Sequence, residues 1–188
     1  MQRLIASLTI VLFLGLVITR ILLMRRAGIK AVYFANIDRK DFLIPPFAIL
    51  YIYIVIAAPL GLPAVTEQEF FRSEAFSWAG VFLCGLGLLL FFLSLISFGR
   101  SFRVGIDTDH PGKLITTGVF ALSRNPIYVA FWIIMLGQFL IFPNWILLAY
   151  LPGAAWLFHR QVLREEDVLR KQYGQEYVEY CNRVRRYL

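Results

Sequence analysis

Five apolar runs separated by polar segments organise the 188-residue chain. They cover residues 4–24, 42–62, 76–98, 127–142 and 145–158. The first three are long enough for a helix to cross a hydrocarbon core of about 30 Å. The last two have roughly 15 residues each, about 22 Å as helix, so they predict a tilted or partly re-entrant hairpin around Pro143-Asn144. The pattern predicts an all-α integral membrane protein with about five transmembrane helices.

The composition agrees with a membrane location. Hydrophobic residues make up 59% of the chain and the mean hydropathy is +0.67, well above that of an average soluble domain. The first run lacks the short apolar core and small-residue cleavage site of a signal peptide, so we interpret it as a retained first span. Cys84 lies within an apolar run and Cys181 near the C-terminus, which predicts two reduced thiols rather than a disulfide.

The distribution of basic residues predicts the orientation of the chain. Lys and Arg are dense between the first and second runs, between the third and fourth, and after the fifth. The segment 63–75 has Arg72 as its single basic residue, against three glutamates. By the positive-inside rule the N-terminus is then outside, and the C-terminus and both polar connections are cytoplasmic. The net charge of +7 is scattered rather than gathered into one stripe, so it does not indicate a nucleic-acid partner.

Asn125-Pro126 marks the predicted start of the fourth helix. Proline is favoured at the first helical position, and asparagine just before it is a strong N-cap. An ordinary helix start therefore explains both residues. The alternative is a binding site, because a helix N-terminus flanked by Arg124 offers free N–H groups and positive potential to a carboxylate or phosphate. The pattern leaves both interpretations open.

Glu165 and Glu166 follow the fifth run, on a helix predicted to leave the membrane and to end at Gly174. One interpretation is a solvated helix face whose carboxylates pair with arginines such as Arg160 and Arg164. The other is a binding site, because a carboxylate at the membrane exit is well placed to hold a hydroxyl, an ammonium or a sulfonium.

The residues around and beyond Gly174 combine aromatic and basic side chains. The aromatic positions are Tyr173, Tyr177 and Tyr180, and the basic ones are Arg183, Arg185 and Arg186. Such a pattern is typical of an amphipathic segment, and it predicts that this part of the chain lies on the anionic membrane surface.

Several other kinds of site are not indicated. Gly85-Leu86-Gly87 lies inside the third apolar run and lacks the third glycine of a dinucleotide-binding fingerprint, so it predicts close helix packing instead. His110 follows two aspartates, but neither it nor His159 belongs to a cluster with ligand spacing, and we expect no metal site. The pattern contains no nucleophile–histidine arrangement, so the chemistry must need little acid–base assistance.

Three polar segments in the second half of the chain carry a resemblance to a known family. They are Gly112-Lys113-Leu114-Ile115-Thr116-Thr117-Gly118-Val119-Phe120, Ser123-Arg124-Asn125-Pro126-Ile127-Tyr128, and Glu165-Glu166 followed by Tyr173-Gly174-Gln175-Glu176-Tyr177. In this order, around an apolar hairpin, they resemble the isoprenylcysteine carboxyl methyltransferases and their relatives, the phospholipid N-methyltransferases. The likeness covers roughly residues 99–186.

The resemblance implies a membrane methyltransferase that uses S-adenosylmethionine without a Rossmann domain. Residues 1–98 would form three N-terminal transmembrane helices, and residues 99–188 the catalytic region. The cytoplasmic cofactor pocket would lie between the loop before the fourth helix and the C-terminal helix. The residues implied to contact the cofactor are Gly112, Lys113, Leu114, Ile115, Phe120, Asn125, Pro126, Ile127, Tyr128 and Glu165.

The chain departs from the family pattern at two places. The family usually has histidine where this chain has Asn125, although asparagine keeps the helix cap. Eukaryotic members have an arginine near the acceptor, one turn before the acid, where this chain has Gln161 with Arg160 and Arg164 beside it. Glu165, Arg164 and Arg160 are thus the candidate catalytic residues, with an arginine pairing with the acceptor's carboxylate.

The chemistry favours a carboxylate as methyl acceptor. A methyl sulfonium is already activated, so the enzyme needs mainly to align the reacting atoms. A carboxylate is ionised at neutral pH and needs no general base, whereas a lipid ammonium must first lose a proton. We therefore expect methylation of a prenylcysteine-like, lipophilic acceptor that enters from the bilayer, with phosphatidylethanolamine N-methylation as the alternative. A non-enzymatic membrane assembly protein is the alternative from another class.

Overall fold

The computed structural model describes residues 1–28, 44–57, 59–63, 69–99 and 113–188. All regular secondary structure in these ranges is helical. The helices are α1 (Gln2–Arg26), α2 (Ile44–Ala57), α3 (Glu74–Phe98), α4 (Pro126–Ile141), α5 (Trp145–Tyr173) and α6 (Gln175–Arg183), with a 3-10 turn at Gly118–Ala121 before α4. The predicted all-α fold is confirmed.

The five apolar runs correspond to α1 to α4 and to the first half of α5. Helices α1 and α3 have 25 residues each and are long and apolar enough to cross a membrane. Helix α2 has 14 residues and α4 has 16, so α4 is about 24 Å long and shorter than a full hydrocarbon core. Large apolar side chains are exposed along α1 and α3, as expected for surfaces in contact with lipid.

Helices α3 and α4 pack closely because glycines face each other at their crossing. A Cβ added to Gly80 would lie 2.5 Å from the Gly137 carbonyl oxygen, and one added to Gly137 would lie 2.6 Å from that of Gly80. Gly87 similarly faces Ile134 at 2.6 Å, whereas Gly85 has open space around it. The packing role predicted for Gly85-Leu86-Gly87 is therefore wrong for Gly85 and confirmed for Gly87. Small residues at such crossings are typical of membrane helices.

At the centre of the bundle, the side chain of Gln138 on α4 forms hydrogen bonds to α1 and α2. Gln138 is fully buried, and its Nε2 donates a 3.3 Å hydrogen bond to the Ala6 carbonyl. The Tyr51 hydroxyl donates to its Oε1. A polar group in an apolar interior is costly unless it is paired, so these bonds fix α1 and α2 against α4. Cys84, buried, and Cys181, half-buried, are both free, as predicted.

Pro143-Asn144 connects α4 to α5, and Asn144 caps α5. Its Oδ1 accepts hydrogen bonds of 3.0 Å from the N–H groups of Ile146 and Leu147. Helix α5 then continues well beyond its apolar part, because the chain from residue 159 onward has a buried face against α4 and α6. It ends at Gly174, whose φ of +53° is the left-handed conformation that favours glycine, so the predicted helix end is confirmed.

Helix α6 turns its aromatic side chains inward. Tyr177 and Tyr180 are 1% and 3% exposed. The Tyr180 hydroxyl donates a 2.6 Å hydrogen bond to the Phe120 carbonyl. The predicted membrane-surface role of these two tyrosines is therefore wrong, because an amphipathic pattern shows only that one face is apolar, and here the protein itself covers that face.

Candidate functional site

The first turn of α4 is the centre of the polar site. Asn125 lies at the N-cap position and Pro126 at the start of the helix, as predicted. However, the Asn125 side chain makes no capping bond. Its Nδ2 instead donates to Oε1 of Glu166 at 3.2 Å and to the Arg186 carbonyl at 3.1 Å. The predicted capping function is therefore wrong, and the side chain joins two other parts of the chain to the start of α4.

Glu166 is a buried carboxylate shared among three segments. It is 5% exposed, and its Oε2 accepts hydrogen bonds from Nε and Nη2 of Arg186 at 3.0 and 2.9 Å. Its Oε1 faces Asn125 and lies 3.3 Å from Nη2 of Arg124. The first turn of α4 thus has a carboxylate beside it, as its positive potential favours, but the carboxylate belongs to this chain. The solvated helix face considered for Glu166 is excluded by its burial.

Residues 184–188, here called the 184–188 segment, fold back along this carboxylate. The Arg124 N–H donates to the Arg185 carbonyl at 3.0 Å, and Ser123 Oγ to the Arg186 carbonyl at 3.4 Å. Further along, the Tyr187 hydroxyl lies 2.9 Å from Nδ1 of His159 on α5. The segment is therefore attached both to the chain before α4 and to α5.

Glu165 lies on the adjacent side of α5 and faces Tyr128. Its Oε1 accepts a 2.7 Å hydrogen bond from the Tyr128 hydroxyl and a 3.1 Å bond from Nε2 of Gln161. Oε1 of Gln161 is itself buried and has no hydrogen-bond partner among the described residues. An acceptor left without a donor away from water is unfavourable, so this atom suits a ligand that carries an N–H or O–H group.

Aromatic rings connect Tyr128 to the apolar interior. The Tyr128 ring lies 5.7 Å from that of Phe158 and 6.0 Å from that of Phe131. Phe131 continues to Phe91 and Phe13, at 5.8 and 5.3 Å between ring centroids. The polar residues of the site therefore border an apolar wall contributed by α1, α3, α4 and α5.

Phe120 contributes to the packing that holds the site from the other side. It is 5% exposed, and its ring makes an edge contact with Phe98 at 4.7 Å between centroids. Gly118, with φ +63°, lies against Ser97 and lets the 3-10 turn approach α3 closely. The end of α3 and helix α6 thus fix the chain just before α4.

The remaining predicted site residues lie in different surroundings. Gly112 is outside the described residues, as is His110. Lys113 is exposed, and Leu114 and Ile115 are half-buried in the extended chain before the 3-10 turn. The Arg160 guanidinium lies over the Trp156 ring at 4.9 Å from its centroid, and Arg164 is half-buried. Among the described residues, no group of three or more His, Cys, Asp and Glu is arranged to hold a metal ion.

One cavity formed by the described residues lies away from this site. It has a volume of about 320 Å³ and opens between the start of α3 and the end of α4, where Arg3 and Arg72 pair with Glu69. None of the described residues that line it belongs to the predicted site.

Burial changes the acid–base behaviour of the groups around Glu166. Burial raises the pKa of Tyr180 to about 12, and it also raises the pKa of Tyr177. The hydrogen bond to Glu166 raises the pKa of the Arg186 guanidinium. These groups therefore keep their neutral or positive forms throughout the physiological range.

Sequence reasoning missed part of this site. The sequence pattern predicts no site role for Ser123 or Tyr180, it places Arg186 on the membrane surface, and it selects Glu165 rather than Glu166 as the site carboxylate. One signal was available, because Glu166 follows the apolar Val162 by one helical turn, and Val162 is fully buried. No local pattern indicates that Arg186 pairs with Glu166, because the position of Arg186 depends on the path of the chain after α6.

One family model matches a part of the chain that includes Asn125, Tyr128, Glu165 and Glu166. The phospholipid methyltransferase family model matches residues 75–176. A protein-S-isoprenylcysteine O-methyltransferase B from Arabidopsis thaliana is 32% identical over 65% of this chain and 66% of its own length. A probable protein-S-isoprenylcysteine O-methyltransferase from Oryza sativa subsp. indica is 32% identical over 57% of this chain and 58% of its own. The matches thus span about two thirds or less of these relatives.

The fold is shared with a solved structure. The structure of the eukaryotic intramembrane Ras methyltransferase, isoprenylcysteine carboxyl methyltransferase, superimposes with a TM-score of 0.56 at 22% identity, over 79% of this chain and 52% of the other. The chain thus shares its fold with an intramembrane protein, and its helices α1 and α3 are long and apolar enough to cross a membrane. Since the family model covers more than half of the sequence, including α3, α4 and α5, the chain belongs to the phospholipid methyltransferase family.

Proposed function

We propose that this protein is a membrane methyltransferase that transfers the methyl group of S-adenosylmethionine to the carboxylate of a prenylcysteine-like acceptor. The observation that carries the proposal is the meeting of Glu165 with Tyr128, which joins α5 to the first turn of α4. The names of the Arabidopsis and rice relatives support the same activity. In this proposal five helices cross the membrane and the site faces the cytoplasm.

The cofactor would bind where Glu165, Tyr128 and Gln161 converge. A carboxylate attracts the positive sulfonium, and a low-dielectric wall such as the Phe131 and Phe158 rings strengthens that attraction. The buried Oε1 of Gln161 supplies an acceptor for a ligand ammonium or hydroxyl. Asn125, Pro126, Ile127 and the 112–115 and Phe120 region would enclose the nucleoside.

The reaction requires alignment more than acid–base catalysis. The S–CH₃ bond breaks as an acceptor oxygen forms the new C–O bond, the electron pair stays on sulfur, and a cation and an anion become two neutral products. Charge neutralisation of this kind is favoured in a site that excludes water. Arg160 and Arg164 would orient the acceptor carboxylate by charge-assisted hydrogen bonds, within one or two turns of Glu165.

An acceptor of this type suits the surroundings of the site. The aromatic wall next to Tyr128 is continuous with the bundle interior, so a prenyl chain would extend into apolar surroundings while its carboxylate stays with the polar residues. A soluble acceptor would gain nothing from such a wall.

The proposal is tested by supplying the purified protein with methyl-labelled S-adenosylmethionine and N-acetyl-S-farnesylcysteine. The matched control is the same molecule with its carboxylate converted to the primary amide. We expect label in the free acid as an alkali-labile ester, and none in the amide. Equal labelling of both compounds would contradict a carboxylate acceptor.

The family description supports a second candidate, the N-methylation of a phospholipid such as phosphatidylethanolamine. That reaction needs an uncharged amine, so a group in the site must accept a proton first. Vesicles containing phosphatidylethanolamine, given the same labelled cofactor, separate the two candidates, because an N-methyl group survives alkali and a methyl ester does not. Absence of cofactor binding altogether would favour a non-enzymatic assembly protein.

A further inference from the structure

The two carboxylate oxygens of Glu166 bind different parts of the chain. Oε2 is occupied by Arg186 of the segment, and Oε1 by Asn125 and Arg124 before α4. Asn125 closes the arrangement, because its amide also donates to the Arg186 carbonyl. Glu166, Asn125 and Arg186 therefore hold one another in a triangle of hydrogen bonds.

This triangle is directly continuous with the proposed cofactor site. Glu165 and Glu166 are neighbours on α5, and their partners Tyr128 and Asn125 are one turn apart at the start of α4. The two carboxylates thus hold the first turn of α4 against α5 at two points. A displacement at the Asn125 contact is transmitted to the Tyr128 contact through a single helical turn, which is a rigid unit.

We propose that Arg186 is a positioning residue for the cofactor site, and that the 184–188 segment must be docked for S-adenosylmethionine to bind tightly. Arg186 does not touch the cofactor. It neutralises Glu166, fixes the orientation of that carboxylate and of Asn125, and so sets the position of the first turn of α4. The inference rests on the proposed function, since it concerns affinity for that cofactor.

The physical reason is the cost of a buried carboxylate with too few partners. Without Arg186, both Oε2 contacts of a 5% exposed group are lost while Arg124 remains on one side. Glu166 must then recruit water or turn toward Arg124, and either movement displaces Asn125. Small displacements of positioning groups reduce affinity and rate because the bound geometry is specific.

The test compares Arg186→Gln with Arg185→Gln by titration of the full-length, detergent-solubilised protein with S-adenosylhomocysteine. Arg185 is the matched control, since it is the adjacent arginine, its side chain is exposed, and its backbone carbonyl accepts the hydrogen bond from the Arg124 N–H. We expect Arg186→Gln to raise the Kd about tenfold, a loss typical of a broken supporting contact, and Arg185→Gln to leave it within about twofold. Equal effects in both variants would overturn the proposal.

Further variants separate positioning from loss of folding. Arg186→Lys, which retains the charge, should recover part of the affinity. Adding Arg186→Gln to a Glu166→Gln background should cause little extra loss, because the two residues act as a unit. In steady-state assays the KM for S-adenosylmethionine should rise while the KM for the farnesylcysteine acceptor stays unchanged. Parallel rises of both constants, or full additivity with Glu166→Gln, would count against Arg186 as a positioning residue.

Docking of the 184–188 segment is measured independently of the cofactor by hydrogen–deuterium exchange at the Arg124 N–H, which donates to the Arg185 carbonyl. Faster exchange is expected in Arg186→Gln and not in Arg185→Gln. If the wild-type protein binds no S-adenosylhomocysteine, the proposed function fails and the cofactor part of this inference fails with it. If the wild type binds and Arg186→Gln shows faster exchange with unchanged Kd, only the positioning inference is overturned.

Discussion

The Tyr128 hydroxyl in the first turn of α4 donates a 2.7 Å hydrogen bond to Oε1 of Glu165, which lies in the C-terminal half of α5. This bond joins two residues that are 37 positions apart and that lie on opposite sides of the apolar hairpin. Because it connects a helix start to a carboxylate beside an aromatic wall, it brings together the features that a positively charged, partly apolar ligand requires.

Replacing Tyr128 with Phe removes the hydroxyl and keeps the ring packing against Phe131 and Phe158. We expect the Kd for S-adenosylhomocysteine to rise about tenfold or more, because a hydrogen bond to a charged group contributes about 1.5 kcal/mol or more. Because the ring contacts remain, the thermal unfolding midpoint should change little. The measurement is calorimetric titration beside a thermal scan, and a variant that binds as tightly as wild type would show that the hydroxyl is not part of the site.

Asn125 and Asn144 provide a matched pair of helix-start asparagines. Asn144→Ala removes a capping side chain that binds two N–H groups and should cost about 1 kcal/mol of stability with no effect on cofactor affinity. Asn125→Ala removes the contacts to Glu166 and Arg186, so it should lower both stability and S-adenosylhomocysteine affinity. Thermal scans and titrations of both variants check this. Equal affinity in the two variants would indicate that Asn125 acts only in folding.

The glycines of α3 give a direct test of helix packing. Gly80→Ala places a Cβ 2.5 Å from a backbone oxygen of α4, so the helices must separate, and we expect a large drop in the unfolding midpoint. Gly85→Ala adds the same methyl group in open space and should leave stability unchanged or slightly higher. Both variants are measured in the same detergent. Equal stability of the two would show that α3 and α4 do not cross at Gly80.

Because Tyr180 is buried, we expect the free energy of unfolding to fall in alkali. Burial raises the pKa of Tyr180 to about 12 in the folded protein, above the unfolded value near 10. The stabilisation by the neutral phenol is therefore fully present below pH 10 and is lost as pH rises toward 12, by about 1.4 kcal/mol per unit.

The comparison variant is Tyr180→Phe, which also loses the 2.6 Å bond to the Phe120 carbonyl. It should be less stable than wild type at pH 7, and the difference should shrink as pH rises through 10 to 12. Thermal midpoints collected across this range provide the measurement. A difference that stays constant with pH would contradict the burial of this hydroxyl.

The elements of this fold were largely predictable from the sequence, because each depends on local pattern. The apolar runs determine where α1 to α4 lie, and Gly174 ends α5 through its own backbone conformation. The juxtaposition of Tyr128 with the acid of α5 followed from the resemblance of the motifs to a known family, since spacing alone does not specify which helices meet.

The triangle of Glu166, Asn125 and Arg186 was not predictable in this way. It depends on residues 184–188 returning to a turn some sixty residues earlier in the chain, and no local preference specifies such a return. The same ambiguity explains the error for Tyr177 and Tyr180. An apolar helix face is stabilised equally well by lipid or by protein, and only the tertiary fold decides between them.

The central claim is that the start of α4 and the carboxylate of Glu165 form a site for S-adenosylmethionine. The most direct test is calorimetric titration of the wild-type protein, Glu165→Gln and the exposed neighbour control Asp167→Asn with S-adenosylhomocysteine. We predict saturable one-to-one binding to wild type and to Asp167→Asn, and at least about tenfold weaker binding to Glu165→Gln, since an ionised hydrogen-bond acceptor is lost. Absence of binding to the wild type, or equal affinity in all three proteins, would contradict the account.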